Sequence, residues 1–251
     1  MGSVTLERKG NVAVITVSNP DVKNALTIDM ARELGQACRD IEADQTFGCT
    51  IVRGDAGAFC SGADTRSWSD TYGDTLSDRA YEETDLMYGS FVQLGSLPVP
   101  TIAAVRGAAV GAGLNLVMAA DLRVVSASAR LIAGFMAAGI HPGGGFFTLA
   151  RRLGGREISG ALGLFGQEMS GQRAYDLGFA GVCVPDGEVE QRALDIATSV
   201  ASDPLLARRV KRTFEIETGS QPLPWPAALE AERGVQLWTQ RRRLDRIQEQ
   251  S

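Results

Sequence analysis

The sequence predicts an α/β fold, on three observations. Strand-like runs and a helical pattern alternate near the N-terminus, and the alternation returns between residues 102 and 125. Two of the strand-like runs also lead directly into loops of small residues. Val4 to Glu7 and Val12 to Val17 read as two strands joined by a turn at Lys9-Gly10-Asn11. Asn19-Pro20 ends that unit. Thr27 is placed to cap a helix running through Met30, Leu34, Ala37 and Ile41, whose spacing gives one apolar face. Strand character resumes at Ile51-Val52. Further on, Ile102 to Val105 reads as a strand, Leu114 to Ala120 as a buried helix and Leu122 to Val125 as another strand.

Between the loops, Ser67 to Ser90 carries Asp70, Asp74, Asp78, Glu82, Glu83 and Asp85. A solvated loop leading into a helix that ends near Leu94 is expected there. From Val189 onward the chain reads as helical, over Val189 to Ala201, Pro204 to Glu217 and Trp225 to about Gln248. The last segment holds Arg241-Arg242-Arg243 and little apolar periodicity beyond Leu237-Trp238. A helix so poorly equipped to stand alone is expected to lean on another surface, such as a second subunit.

A chain of 251 residues can bury one large core, with room for a helical appendage. Its 44% hydrophobic and 22% charged residues are ordinary for a globular protein. The net charge of −5 gives no support to non-specific nucleic-acid binding. Cys38, Cys49, Cys60 and Cys183 form no close metal-type pairs, and the N-terminus does not read as a secretory leader. Reduced thiols and no metal site are therefore expected. The longest apolar stretch, Gly107 to Ala120, is too short to span a bilayer and contains Asn115. These readings predict a soluble cytoplasmic protein with no membrane insertion.

The two small-residue loops are Ala58-Phe59-Cys60-Ser61-Gly62-Ala63-Asp64 and Gly107-Ala108-Ala109-Val110-Gly111-Ala112-Gly113. Alanine and glycine let another backbone or a ligand come close. The second loop enters the buried helix, whose first amides are unpaired and lie at the positive end of its dipole. Brought together, the loops could offer two N–H groups to one oxygen, the architecture of an oxyanion hole. The plainer reading is that small residues serve close helix–strand packing. No Gly-Lys-Ser/Thr is present, which excludes a phosphate loop, and Gly111-Ala112-Gly113 is weak evidence for a dinucleotide site.

Several segments, taken in order, resemble the crotonase superfamily, whose archetype is enoyl-CoA hydratase. Asn19-Pro20 with Asn24-Ala25-Leu26 resembles its N-terminal signature, and Phe59 to Asp64 its first oxyanion loop. Ile102 to Gly113, then Ala119-Ala120-Asp121-Leu122-Arg123, resembles the second. Gly139, Pro142-Gly143, Ser170-Gly171-Gln172-Arg173-Ala174 and Gly234 to Arg242 are similar to later landmarks. The resemblance implies a spiral of repeated ββα units over residues 1–190. It also implies a C-terminal helical region, 191–251, that drives trimer or hexamer formation. The implied ligand is a coenzyme A thioester, acyl-CoA or enoyl-CoA, with no permanently bound cofactor. Its carbonyl oxygen would meet the backbone N–H groups of Ala63 and Ala112. Lys23, Ala58, Asp64, Gly111, Trp238, Arg241 and Arg242 are the implied coenzyme A contacts.

The hydratases of this superfamily use two glutamates, and the matching positions here are Asn115 and Phe135. An amide can orient a water or a carbonyl but has no useful proton-transfer pKa. Phe135 narrows the pocket. Ordinary two-glutamate hydration is therefore not expected. Other subfamilies place a carboxylate near Gly143, where Pro142-Gly143-Gly144-Gly145 has no such side chain. His141, the one histidine of the chain, is the nearest replacement. Histidine, with a free pKa of about 6.5, can shuttle a proton at neutral pH; the alternative is a hydrogen bond beside the glycine turn. Asp64 reads either as a base or as a cap or loop anchor. Tyr72, Tyr81 and Tyr88 lie in the segment that the resemblance implies lines the acyl tunnel, where they could donate to a substrate oxygen or simply pack. Trp238, Arg241 and Arg242 could meet adenine and phosphates or form a solvated face.

The expected activity is that of an enoyl-CoA hydratase or isomerase type of enzyme stabilising a thioester enolate. Two alternatives stand beside it. One is a non-catalytic acyl-CoA carrier or sensor that kept the fold. The other is a different crotonase reaction, such as thioester hydrolysis or C–C cleavage, with groups in Ser67 to Ser90.

Overall fold

The computed structural model describes residues 2–64, 66, 77–219 and 221–249. Asp70, Tyr72 and Asp74 lie outside the described residues. The chain opens with β1 (Ser3–Lys9) and β2 (Val12–Ser18), an antiparallel hairpin turning at Gly10. Helix α1 (Ile28–Ala43) follows, with Thr27 Oγ1 accepting from the Met30 N–H at 3.2 Å. It buries Met30, Leu34, Ala37, Cys38 and Ile41, the stripe that 3.6-residue periodicity demands.

After β3 (Cys49–Gly54) come α2 (Asp78–Gly95), β4 (Thr101–Val105), β5 (Ala108–Val110) and α3 (Ala112–Ala119). Next are β6 (Leu122–Ser126), β7 (Arg130–Ile132) and α4 (Phe146–Gly163). Then follow β8 (Glu168–Ser170), α5 (Gly171–Asp176) and β9 (Val182–Val184). The chain closes with α6 (Val189–Val200), α7 (Pro204–Thr218) and α8 (Trp225–Glu249).

The larger sheet has the order β1-β2-β3-β4-β6-β9, parallel from β2 onward. A smaller sheet has the order β5-β7-β8. In the units β4-β5-α3 and β6-β7-α4, the first strand joins the larger sheet and the second the smaller. The expected repetition of ββα units is thus realised. Because side chains alternate across a strand, the larger sheet feeds two cores. Ala13, Ile15, Val17, Val52, Ala103 and Val105 face Met30, Leu34, Leu94, Leu114 and Val117 of α1, α2 and α3. Val12, Val14, Ile51, Ile102, Ala104 and Val124 face Val189, Ala193 and Ala197 of α6. Helix α6, which spans residue 190, therefore covers this face of the sheet over β2, β3, β4, β6 and β9.

The last helices are fastened by polar contacts rather than by apolar stripes. The Arg208 guanidinium donates to the carbonyls of Ile41, Asp44 and Phe47 at 2.9, 2.7 and 3.1 Å. Buried Lys211 bridges Asp121 and Glu215. The guanidinium groups of Arg209 and Arg242 lie over the Trp238 ring of α8, at 4.2 and 4.6 Å from its centre. Leu205, Val210 and Phe214 of α7 and Trp225, Leu229 and Leu237 of α8 stay exposed. No helix among the described residues is long and apolar enough to cross a membrane.

Candidate active site

The two small-residue loops are stitched together by backbone hydrogen bonds. Phe59 and Cys60 N–H both donate to the Ala108 carbonyl at 3.1 Å, and Val110 N–H donates back to Cys60 at 2.9 Å. Residues 108–110 are therefore a strand, although their composition reads as a loop. The approach is close enough to exclude a side chain at Gly113. A Cβ there would stand 2.3 Å from the Cys60 carbonyl oxygen. Gly111 turns the chain into α3 at φ 51°, ψ −112°, a conformation open to glycine and costly for other residues.

Among the described residues, this geometry leaves two amides without a backbone partner. Ala63 pairs with Leu26 as a parallel bridge in which Gly62 O accepts from Leu26 N–H and Asp64 N–H donates to Leu26 O, each at 2.8 Å. Its neighbours make both bonds, so the Ala63 N–H points away from Leu26. Ala112 is the first residue of α3, where an N–H has no intrahelical partner. Both residues line one cavity of about 410 Å³. Leu26, Ile28, Val110, Ala133, Phe135 and Ile140 give it apolar walls, and Ser61, Asp64, Asn115 and His141 polar ones. One wall is the face of α2 made by Ala80, Glu83, Thr84, Met87, Tyr88 and Phe91, the i, i+3, i+4 stripe of a helix.

A sequence model described as enoyl-CoA hydratase/isomerase matches residues 7–244. The chain belongs to that family. A probable enoyl-CoA hydratase of Mycobacterium tuberculosis is 38% identical over 201 residues, which cover 80% of this chain and 76% of the relative. One from Rhodobacter capsulatus is 34% identical over 234 residues, covering 91% and 87%. The crystal structure of an enoyl-CoA hydratase from Polaromonas superposes with a TM-score of 0.84 at 24% identity. The match covers 93% of this chain and 90% of that one, and it is a likeness of fold. The ββα units and C-terminal helices are those of the crotonase fold.

Within the family's fold, the residues singled out in the sequence fall into two groups. Ala63, Asp64, Gly111, Ala112, Asn115, Phe135 and His141 meet at the cavity. Lys23, Ala58, Trp238, Arg241 and Arg242 do not line it. Lys23 lends its carbonyl to Ser61 N–H, and the Ala58 carbonyl accepts from Asn24 Nδ2. Arg241 pairs with Asp245 and Arg242 with Asp203, both at 2.9 Å.

Asp64 is a loop anchor. Arg66 engages both its oxygens, Nε to Oδ1 at 2.9 Å and Nη2 to Oδ2 at 2.6 Å. Those bonds hold its carboxyl below the usual carboxylate range and make it a poor base. Cys60, at the centre of the first loop, is fully shielded, and burial pushes its thiol up to about 12. It stays protonated at neutral pH and offers no nucleophile. His141 Nδ1 lies 2.7 Å from the Pro142 carbonyl, so Nδ1 is the donor, and in the neutral ring Nε2 is the acceptor. Asn115 is 1% exposed and donates from Nδ2 to the Gly143 carbonyl at 2.9 Å. Among the described residues, no group of three or more His, Cys, Asp or Glu could hold a metal ion.

From the sequence, Glu83 is only part of a polar segment, while Tyr88 belongs to the segment expected to line the acyl tunnel, with packing as its expected role. Both line the cavity, whereas Tyr81 is exposed and turned away. The signal was present in the spacing 80, 83, 84, 87, 88, 91. Its polar members hid it, because a search for apolar periodicity discards Glu83 and Thr84.

Proposed function

We propose that the chain is an acyl-CoA enzyme of the enoyl-CoA hydratase/isomerase type that holds its thioester carbonyl between the Ala63 and Ala112 N–H groups. What supports the reading most is that Ala63 and Ala112, whose N–H groups have no backbone partner among the described residues, line the same cavity. Negative charge gathers on a thioester oxygen when the α-carbon loses a proton or the β-carbon accepts a nucleophile. Fixed amide donors stabilise that charge more than the neutral ground state, one donor being worth about 2.7–4 kcal/mol. The start of α3 adds the positive end of its dipole.

Asn115 and Phe135 stand where the family's hydratases carry glutamates, so proton movement falls to another group. His141 is the first candidate, since its Nδ1–H is held by Pro142 and its Nε2 is the basic atom. Asn115 orients substrate or water. Asp64, Gly111, Lys23 and Ala58 frame the entry of coenzyme A. Trp238, Arg241 and Arg242 serve its adenine and phosphates from a neighbouring subunit of a trimer or hexamer built on residues 191–251. The exposed apolar residues of α7 and α8 support that assembly. The core of residues 1–190 carries the acyl site, and no resident cofactor is needed.

Mixing the protein with short-, medium- and long-chain enoyl-CoA and following the conjugated double bond tests the reading. Turnover is expected, with His141→Ala slower by about 10²-fold or more. A fully active His141→Ala variant removes that residue from the mechanism. Binding without turnover of any chain length supports a carrier or sensor, which the Asn115 and Phe135 positions favour as the second reading. Absence of both binding and turnover contradicts both.

A further inference from the structure

Asn19 and Asn24 belong to the turn that follows β2, and both are buried. Asn24 is 0% exposed and sits at φ 61°, directly after Lys23 at φ 52°. Asparagine enters this left-handed region more readily than most residues with side chains, and two such residues in a row carry a strain that their surroundings must offset. The conformation sends the Asn24 side chain across to the first small-residue loop. Nδ2 donates to the carbonyls of Asp55 and Ala58 at 2.7 and 2.9 Å, while Oδ1 accepts from the Asn19 N–H at 2.8 Å. Two acceptors and one donor allow the amide only this orientation.

These bonds fall where the loop holds itself least. Residues 55–58 turn through Ala56 at φ 49° and Gly57 at φ 81°, and the closing bond, from Ala58 N–H to the Asp55 carbonyl, is long at 3.4 Å. Asn24 ties the same two residues with shorter bonds. The seam then continues along the loop. The carbonyls of Lys23 and Val22 accept from Ser61 N–H and Oγ at 3.0 and 2.7 Å, and Leu26 forms the bridge to Ala63. Asn24 is the buried end of the seam that aims the Ala63 N–H.

We infer that Asn24 is a positioning residue: by clamping the turn at 55–58 it holds the loop in the register that points the Ala63 N–H into the cavity. The inference rests on the acyl-CoA reading, in which that N–H meets the thioester oxygen. Asn24 acts through the loop, since it does not itself line the cavity. Without the clamp, Phe59 and Cys60 keep their bonds to Ala108, so the fold persists while the amide loses its aim.

Isotope-edited infrared spectroscopy of bound butyryl-CoA, labelled with ¹³C at the thioester carbonyl, tests this in three variants. Asn24→Gly accepts φ 61° without strain and deletes only the side-chain bonds. Asn24→Asp keeps the acceptor for the Asn19 N–H and loses at least one of the two donors. Val124→Ala loosens the core beneath α6, away from the loop, and is the control for general destabilisation. The carbonyl stretch of the wild-type complex is expected to fall in frequency, and that of Asn24→Gly to fall about half as far, as for one donor of two. Asn24→Asp should lie between them, and Val124→Ala should keep the full shift. A full shift in Asn24→Gly overturns the inference and leaves the acyl-CoA reading standing. So does a reduction in Val124→Ala equal to that in the Asn24 variants. Should Asn24→Gly not fold, Asn24→Asp decides: a reduced shift bears the inference out and a full one overturns it. A wild-type protein that does not bind butyryl-CoA, or binds it with no shift, overturns the two-amide reading and this inference with it.

Discussion

Ala112→Pro is expected to lower kcat/KM by about 10²–10³-fold while leaving the fold in place. Proline lacks the N–H that Ala112 is proposed to give to the thioester oxygen, and it is tolerated at the first position of a helix. The residue before a proline must be extended. Gly111, at φ 51° and ψ −112°, already occupies the mirror-image extended region that glycine enters freely. The substitution therefore deletes one donor without bending α3. Circular dichroism should match the wild type, and the loss should fall on kcat/KM, because both the bound thioester and its enolate-like state lose a donor. Should the protein bind without turning over, the same substitution is read as weaker thioester binding. A loss below about threefold would mean that the Ala112 N–H does not meet the carbonyl.

Phe59→Ala is expected to destabilise the protein by about 3–5 kcal/mol. Phe59 lies inside the first loop, is 1% exposed and belongs to the core that α1, α2 and α3 share with the larger sheet. Removing the ring leaves a cavity under the strand that pairs Cys60 with Ala109. The midpoint of thermal unfolding should fall by roughly 6–20 °C for a chain of this size. Urea unfolding checks the free energy directly. A cost below about 1 kcal/mol would show that the loop is held by its backbone bonds alone.

Much of the fold is legible in local pattern, because the relevant contacts are local. Lys9-Gly10-Asn11 turns the hairpin, and Thr27 caps α1 on the Met30 N–H. Strand β5 is illegible for the opposite reason. Ala108, Ala109 and Val110 have a loop's composition and become a strand only by pairing with Cys60 and with Leu131 on β7. The start of α3 at Ala112 rather than Leu114 depends on the same pairing, since Gly111 is placed by its bond to Ile132.

The site is legible where it is backbone and obscure where it is side chain. The two small-residue loops are legible as close backbones, and they bring Ala63 and Ala112, the proposed donors, to one cavity. Tyr88, in contrast, takes its meaning from Gly143, a residue far along the chain whose lack of a side chain makes room for the phenol. Asp64 reads as an anchor more readily than as a base, and the partner that holds both its oxygens, Arg66, is seen only in the structure.

Isotope-edited infrared spectroscopy of an acyl-CoA labelled with ¹³C at the thioester carbonyl tests the central claim most directly. Two N–H donors on that oxygen weaken its double bond, so the carbonyl stretch should move to lower frequency on binding to the wild-type protein. The shift should be reduced in Ala112→Pro. A bound thioester whose carbonyl stretch stays at its value in water, or whose shift is the same in both proteins, would contradict the account.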